Sequence, residues 1–365
     1  MRVLRKSESK MSKFWNDKTL GLTPYTPGEQ PKGVKKLIKL NTNENPYPPS
    51  KAVLEAIAEA NNGDLRLYPD PDATLLREAY AASIGVAKEN VFVGNGSDEV
   101  LAFAFDTFFQ KGTPILFPDI CYSFYPVYCN YYGIDYQTVP LKEDFTIDVK
   151  GFLQKNGGVV ITNPNAPTGI DLGLAGIEEI LKANPDRVVL VDEAYVKFGA
   201  ASAVPLIEKY ANLLVVQTMS KSHSLAGLRV GFAVGSPELI EGINRVKNSF
   251  NSYPVDRLAQ AGALAAIEDR ANVEKRCNRI RAVREGVSVA LRGMGFDVLP
   301  SKTNFIMMHY WNVRAETLFG HLREHDILVR HFNLPRIDDY LRVTIGTKLE
   351  MRKFLDVVEE YIEKR

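Results

Sequence analysis

The sequence predicts an α/β protein, with a mostly parallel sheet flanked by helices in a large domain and a smaller α+β domain after it. Three observations carry that expectation. The 365 residues exceed what one growing core usually serves. From Val91 to about Ser236, short β-rich runs alternate with helical patterns, and such alternation implies crossovers between parallel neighbours. From about Ala259 the pattern changes to a long helical stretch followed by short strands and a closing helix.

Taken in order, the first thirteen residues hold Arg2, Arg5, Lys6, Lys10 and Lys13 against Glu8 alone, with no apolar stretch behind them. They read as a mobile basic tail rather than a secretory leader. Gly21 to Pro49 is rich in proline, glycine and asparagine (TPYTPGEQP, then NTNENPYPPS) and should run as an extended arm with turns. Residues 1–40 are taken as tail and arm, 41–255 as the large domain and 256–365 as the small one. The runs VFVG, ILFP, GVVIT, VVLVDEA, LLVVQT and RVGFAVG are apolar enough to be buried on both faces. Ligands of such sheets gather at the carboxyl ends of the strands. In the last part GFDVL, TNFIMMHY, ILVRHF and YLRVTIG read as strands, and a helix runs through Tyr361.

Composition narrows the function. Apolar residues make up 45% and charged residues 24%, and the formal charge of +1 offers no long-range attraction to nucleic acid or anionic membrane. No apolar run approaches the roughly 18 residues a membrane-spanning helix needs. Cys121, Cys129 and Cys277 form neither an even set nor a CxxC pair, which fits a reducing cytoplasm better than a disulfide scaffold or a zinc site. His321 and His325 stand one helical turn apart without a third ligand, so a solvated helix face explains them better than a metal. Small-molecule chemistry is the expectation.

Four stretches carry that chemistry. TMSKSHSLAGLRVGF puts Thr218, Ser220 and Lys221 at a strand end, with Arg229 eight residues on. A lysine whose pKa is depressed by burial or a neighbouring cation can act as a nucleophile, and hydroxyls beside a guanidinium suit a phosphate. VVLVDEAYVKF delivers Asp192 to a buried strand end, with Tyr195 three residues later; a carboxylate there is costly unless paired. A nucleotide hydrolase would use such an acid on a metal, but the chain has no GxxxxGK[ST] loop. VFVGNGSDEVLAFAF is a strand, a glycine turn and a helix opening at Ser97 and Asp98, whose free N–H groups favour an anion. As a dinucleotide fingerprint it falls short, with Glu99 at the last glycine position. GVVITNPNAPTG runs from a strand into a turn with two prolines, where a cis peptide would be unsurprising.

These stretches, together with NTNENPYPPS, LRLYPDPDATLLREA and YLRVTIGT, resemble the aspartate-aminotransferase-like enzymes of pyridoxal 5′-phosphate (PLP) fold type I, over nearly the whole chain from about Thr23. Within that family the likeness is greatest to the class-II-type branch that exchanges histidinol phosphate and 2-oxoglutarate for imidazole acetol phosphate and glutamate. The resemblance implies PLP as cofactor, held as a Schiff base on Lys221. It implies Asp192 on the pyridine nitrogen, Tyr195 on the phenolic oxygen and Tyr122 stacked on the ring. The phosphate would meet Ser97, Asp98, Thr218, Ser220 and Arg229, with Tyr68 reaching it from the other subunit of a homodimer. The family commonly has asparagine just before Pro-Thr-Gly to contact the phenolic oxygen; here that position is Ala166, and either Asn165, one residue earlier, replaces the contact as a cofactor-binding residue or Tyr195 makes it alone. Arg342 matches the family's carboxylate-clamping arginine, with Arg330 a second anion partner, and Tyr25, Asn45 and Asn304 fall where the family lines its substrate pocket. A PLP-dependent threonine-phosphate decarboxylase and an aromatic amino-acid aminotransferase remain open alternatives. A PLP-dependent regulator would need an added DNA-binding module for which 365 residues leave no room.

Overall fold

The computed structural model describes residues 13–31 and 37–364, so all of the expected basic tail except Lys13 lies outside the described residues. The main sheet has seven strands: β1 (Val91–Asn95), β2 (Ile115–Pro118), β3 (Tyr136–Val139), β4 (Val159–Thr162), β5 (Val189–Asp192), β6 (Leu213–Thr218) and β7 (Val230–Gly235). They lie in the order β1-β7-β6-β5-β4-β2-β3, all parallel to their neighbours except β7, which runs against both β1 and β6. The central strands are wholly buried because each face of the sheet has its own core. Val159, Val191, Val215 and Phe232 point to one side and Val160, Leu190, Leu214 and Ala233 to the other, the alternation that a two-residue period imposes. The edge strand β3 is largely exposed and lacks an apolar run, and the sequence offered no signal for it.

The reversal of β7 positions the site. The chain leaves β6 at Thr218, turns through residues 219–229 and comes back along the same strand, with the Met219 amide donating to the Val230 carbonyl at 3.0 Å. Thr218 therefore faces Gly231, while Asn95 at the end of β1 faces Val230. Thr162 pairs with Asp192 across β4 and β5. One edge of the sheet thus collects Thr162, Asp192, Thr218, Lys221, Arg229 and the start of the helix Gly96–Phe108.

The helical stretch expected through Arg292 is two helices, Arg257–Glu268 and Arg270–Gly293, separated at Asp269. Beyond them Arg330–His331, Leu341–Thr344, Phe305–His309 and Asp297–Val298 form a four-stranded antiparallel sheet. The closing helix Lys348–Glu363 starts with a capping box in which Thr347 and Glu350 serve each other's backbone. The arm is tied to this part: Ile38–Lys39 pairs in parallel with Ile327–Leu328, and Leu40 is buried among Phe305, Ile345 and Met351.

Candidate active site

A cavity of about 330 Å³ opens at the sheet edge, lined by Thr42, Glu44, Ser97, Asp98, Tyr122, Thr162, Ala166, Asp192, Tyr195, Thr218, Ser220, Lys221 and Arg229 among others. At its floor, Asp192 is only 4% exposed. It accepts a hydrogen bond from the Tyr125 hydroxyl at 2.9 Å and one from the Ala194 amide at 3.2 Å. Burial pushes its carboxyl up to about 6, against the pull of those two donors. No cation pairs with it among the described residues, so a protonated ring nitrogen arriving here would find a carboxylate that lacks its counter-charge.

Lys221 is half-buried, and its Nζ donates to the Thr42 carbonyl at 3.1 Å. Burial first, then the Arg342 guanidinium, bring its pKa down to about 8; Glu44 and Asp98 oppose them. A larger share of free amine is available near neutrality than an ordinary lysine would offer. Tyr195 stands at the side, 8% exposed, its ring edge-on to Phe305 at 5.1 Å and its hydroxyl accepting from Asn43 Nδ2 at 2.9 Å. Burial raises its phenol, while Arg342 and the Asn43 amide work against that rise.

The opposite end is built for an anion. Arg229 donates to Asp98 at 3.0 Å and to the Ser220 hydroxyl at 3.4 Å, and Asp98 also accepts from the Tyr122 hydroxyl at 3.0 Å. The Thr218 hydroxyl donates to Ser220 Oγ at 3.0 Å. Two glycines make the room. A Cβ on Gly96, whose φ is +80°, would lie 2.5 Å from Arg229 Nη2, and one on Gly231 would lie 2.4 Å from the Ser97 amide nitrogen. The helix start, its amides, two hydroxyls and a guanidinium converge as a phosphate requires.

A second cavity of about 180 Å³ adjoins the first and shares Thr42, Tyr122, Ala166, Tyr195 and Lys221 with it. Tyr25, Arg330 and Arg342 line it. The two arginines lie abreast because Arg330 pairs with Arg342 across antiparallel strands. Arg342 donates to the Asn41 carbonyl at 3.1 Å and lies over Phe305 and Phe332 at 5.2 and 5.3 Å, and Arg330 lies over Phe332 at 5.5 Å. Neither has a carboxylate partner among the described residues. Burial, reinforced by Arg330, lowers the Arg342 pKa.

Four expected residues stand elsewhere. Asn165 is 1% exposed, but its amide donates to the Ile120 carbonyl and to Thr168, both at 3.0 Å, and it lines a separate cavity; it is Ala166 that faces the site. Asn45 donates to the Lys221 carbonyl at 2.9 Å and Asn304 to the Asn43 carbonyl at 2.9 Å, so both amides brace the wall instead of facing the cavity. Tyr68 is 79% exposed and stacks on Tyr253 at 4.6 Å, away from this chain's own cavity. Three residues that sequence reasoning missed belong to the site: Thr42 and Asn43, for which NTNENP was the available signal, and Tyr125, three residues after Tyr122. Both X-Pro bonds of the turn after Thr162, Asn163-Pro164 and Ala166-Pro167, are cis.

A buried carboxylate without a cation, a lysine of depressed pKa and a phosphate cradle within one cavity fit PLP. Residues 35–358 match the family model of aminotransferase class I and II, and the chain belongs to that family. It is a PLP-dependent transaminase. It is 54% identical over 352 residues, 96% of this chain and 100% of the relative, to the histidinol-phosphate aminotransferase of Clostridium acetobutylicum. The fold matches the crystal structure of histidinol-phosphate aminotransferase from Sinorhizobium meliloti in complex with PLP, with TM-score 0.83 and 24% identity over 90% of this chain and 92% of that one. It also matches L-threonine-O-3-phosphate decarboxylase from Porphyromonas gingivalis, with TM-score 0.77 and 24% identity over 90% and 100%. At that identity both structures speak to the fold alone.

Proposed function

We propose that this chain transfers the amino group of histidinol phosphate to 2-oxoglutarate, yielding imidazole acetol phosphate and glutamate. The observation that carries this is the 54% identity along the whole length of an enzyme of that name. The paired arginines support it, since a planar guanidinium grips phosphate and carboxylate alike, and a ping-pong exchange asks one pocket to hold each in turn.

When bound, PLP supplies an electron sink that acidifies the substrate carbon bearing the nitrogen. Lys221 would hold it covalently, and its amine, when free, would take the proton from that carbon, a role worth about 10²–10⁴-fold. Asp192 would keep the ring nitrogen protonated, Tyr195 would serve the phenolic oxygen and Tyr122 would cover the ring. The amides at Ser97 and Asp98, the Thr218 and Ser220 hydroxyls and Arg229 would hold its phosphate. Arg342 and Arg330 hold the substrate's anionic group, with Tyr25 closing that end. Asn45 and Asn304 act at one remove by fixing the backbone of Lys221 and Asn43. The exposed Tyr68 is assigned to the neighbouring site of a homodimer, residues 41–255 and 256–365 to two domains, and the protein to the cytoplasm. Among the described residues no helix is long and apolar enough to cross a membrane.

The test is to follow the absorbance of PLP-loaded protein as histidinol phosphate is added without keto acid. The resting band should give way to that of the cofactor's amine form, and 2-oxoglutarate should restore it. Conversion by aromatic amino acids alone would keep the class and remove the substrate. Turnover of a phosphorylated amino acid with release of CO₂ and no keto-acid requirement would make the chain a decarboxylase.

A further inference from the structure

We infer that Asn43 is a positioning residue that fixes which way the Tyr195 hydroxyl donates, and thereby tunes the cofactor in place of the asparagine missing at position 166. The inference rests on Tyr195 facing the phenolic oxygen of PLP.

The Asn43 backbone N–H donates to Thr344 Oγ1 at 3.0 Å. Thr344 in turn donates its hydroxyl proton to Asn43 Oδ1 at 3.1 Å. With its oxygen held there, the side-chain amide must present its NH₂ to the other side, and Nδ2 donates to the Tyr195 hydroxyl at 2.9 Å. A phenol has one proton and accepts through its lone pairs. Having accepted from Asn43, Tyr195 keeps its own proton for the cavity it lines.

Asn43, Thr344 and Asn304 are 2%, 2% and 0% exposed, so water does not compete for these groups and each bond's direction matters. Asn304 pins the Asn43 carbonyl. Asn43 sits at φ 56°, a left-handed conformation that asparagine tolerates better than most residues. Ala166 lines both cavities and brings no donor, so the donor to the phenolic oxygen comes from Tyr195. Thr344 ends the strand that carries Arg342. The relay therefore joins the substrate-anion strand to the cofactor side through two hydrogen bonds.

A donor aimed at the phenolic oxygen stabilises its negative charge and weakens its hold on the proton it shares with the Lys221-linked nitrogen. It thus lowers the pH at which the loaded protein's absorbance titrates. Asn43→Ala frees the Tyr195 proton to turn away and should move that midpoint upward by a part of the roughly one unit that a hydrogen bond to a charged group is worth. Asn43→Asp should move it at least as far, since a carboxylate accepts the Tyr195 proton and turns it away from the cavity. In a Tyr195→Phe background, Asn43→Ala should add nothing. Thr344→Val leaves Asn43 in place but frees its amide to turn, and should give a smaller upward shift; it carries the test if the Asn43 variants do not fold. Midpoints that stay within about 0.2 of a unit of wild type would overturn the inference while leaving the cofactor reading intact. An equal shift from Asn43→Ala with and without the Tyr195 hydroxyl would overturn it too. Wild-type protein that binds no PLP would bring down both.

Discussion

Arg229 and Arg342 serve the same pair of cavities from opposite ends and are held in opposite ways. Arg229 is already engaged, by Asp98 at 3.0 Å, by Ser220 and by the Ala226 carbonyl. Its backbone is in the left-handed region at φ 53°, and Gly96 gives it space. Arg342 has a neighbouring arginine, two aromatic rings and one carbonyl, but no acid among the described residues. An arginine whose partners are in place is preorganised for a group that stays. A desolvated, unpaired one awaits an anion that must enter and leave at every half-reaction, and the charge left uncompensated in its absence is what makes binding favourable.

Lys221 lies between the two ends, and its loss breaks both. Lys221→Ala should lower steady-state turnover by more than about 10³-fold, and an assay that returned wild-type rates would remove the shared centre of the comparison. Arg342→Ala should lower kcat/KM by roughly 10²-fold, the value of charge-assisted hydrogen bonds to one anion, with the PLP dissociation constant unchanged. A variant that lost PLP instead would erase the distinction. Arg229→Ala should do the reverse: PLP affinity falls about 10-fold, since amides and hydroxyls remain, and excess PLP restores most of the turnover. Gly96→Ala should cost about 1–2 kcal/mol in thermal or denaturant unfolding and weaken PLP severalfold, because the added Cβ meets Arg229. The smallest effect concerns pH. Capture of PLP by the cofactor-free protein requires the Lys221 amine unprotonated, so its rate should climb as pH rises and level off above about 8. A midpoint near the ordinary lysine value of 10.5 would show that Arg342 and burial do not act on it.

The two ends also differ in how far they could be read from the chain. That Ser97, Asp98, Thr218, Ser220, Lys221 and Arg229 share one cavity was legible because the parts are local: GNGSDE is one strand-to-helix turn, and Thr218, Ser220, Lys221 and Arg229 lie within a single connection. Six of the seven main strands announced themselves as apolar runs, and the exposed β3 had none. Of the residues expected at the other end, Tyr25, Arg330 and Arg342 line the second cavity, whereas the Asn45 and Asn304 amides turn to backbone carbonyls. Asn45 and Asn304 are drawn to backbone carbonyls 176 and 261 residues away, and no local pattern encodes that. Asn165 faced a choice of partners and took the Ile120 carbonyl.

By itself, the order of residues determined the layered α/β architecture, the strand end that carries Asp192, the turn that carries Lys221 and the strand-to-helix turn at Gly96. All of these follow from periodicity and short-range geometry. Only the tertiary structure decided which amides face the cavity, that Arg330 and Arg342 lie abreast without an acid, and that Asn43 reaches Tyr195 while Thr344 holds it in place. Those outcomes depend on buried donors and acceptors finding partners across the whole chain, because each one left unpaired costs about as much as a hydrogen bond contributes or more.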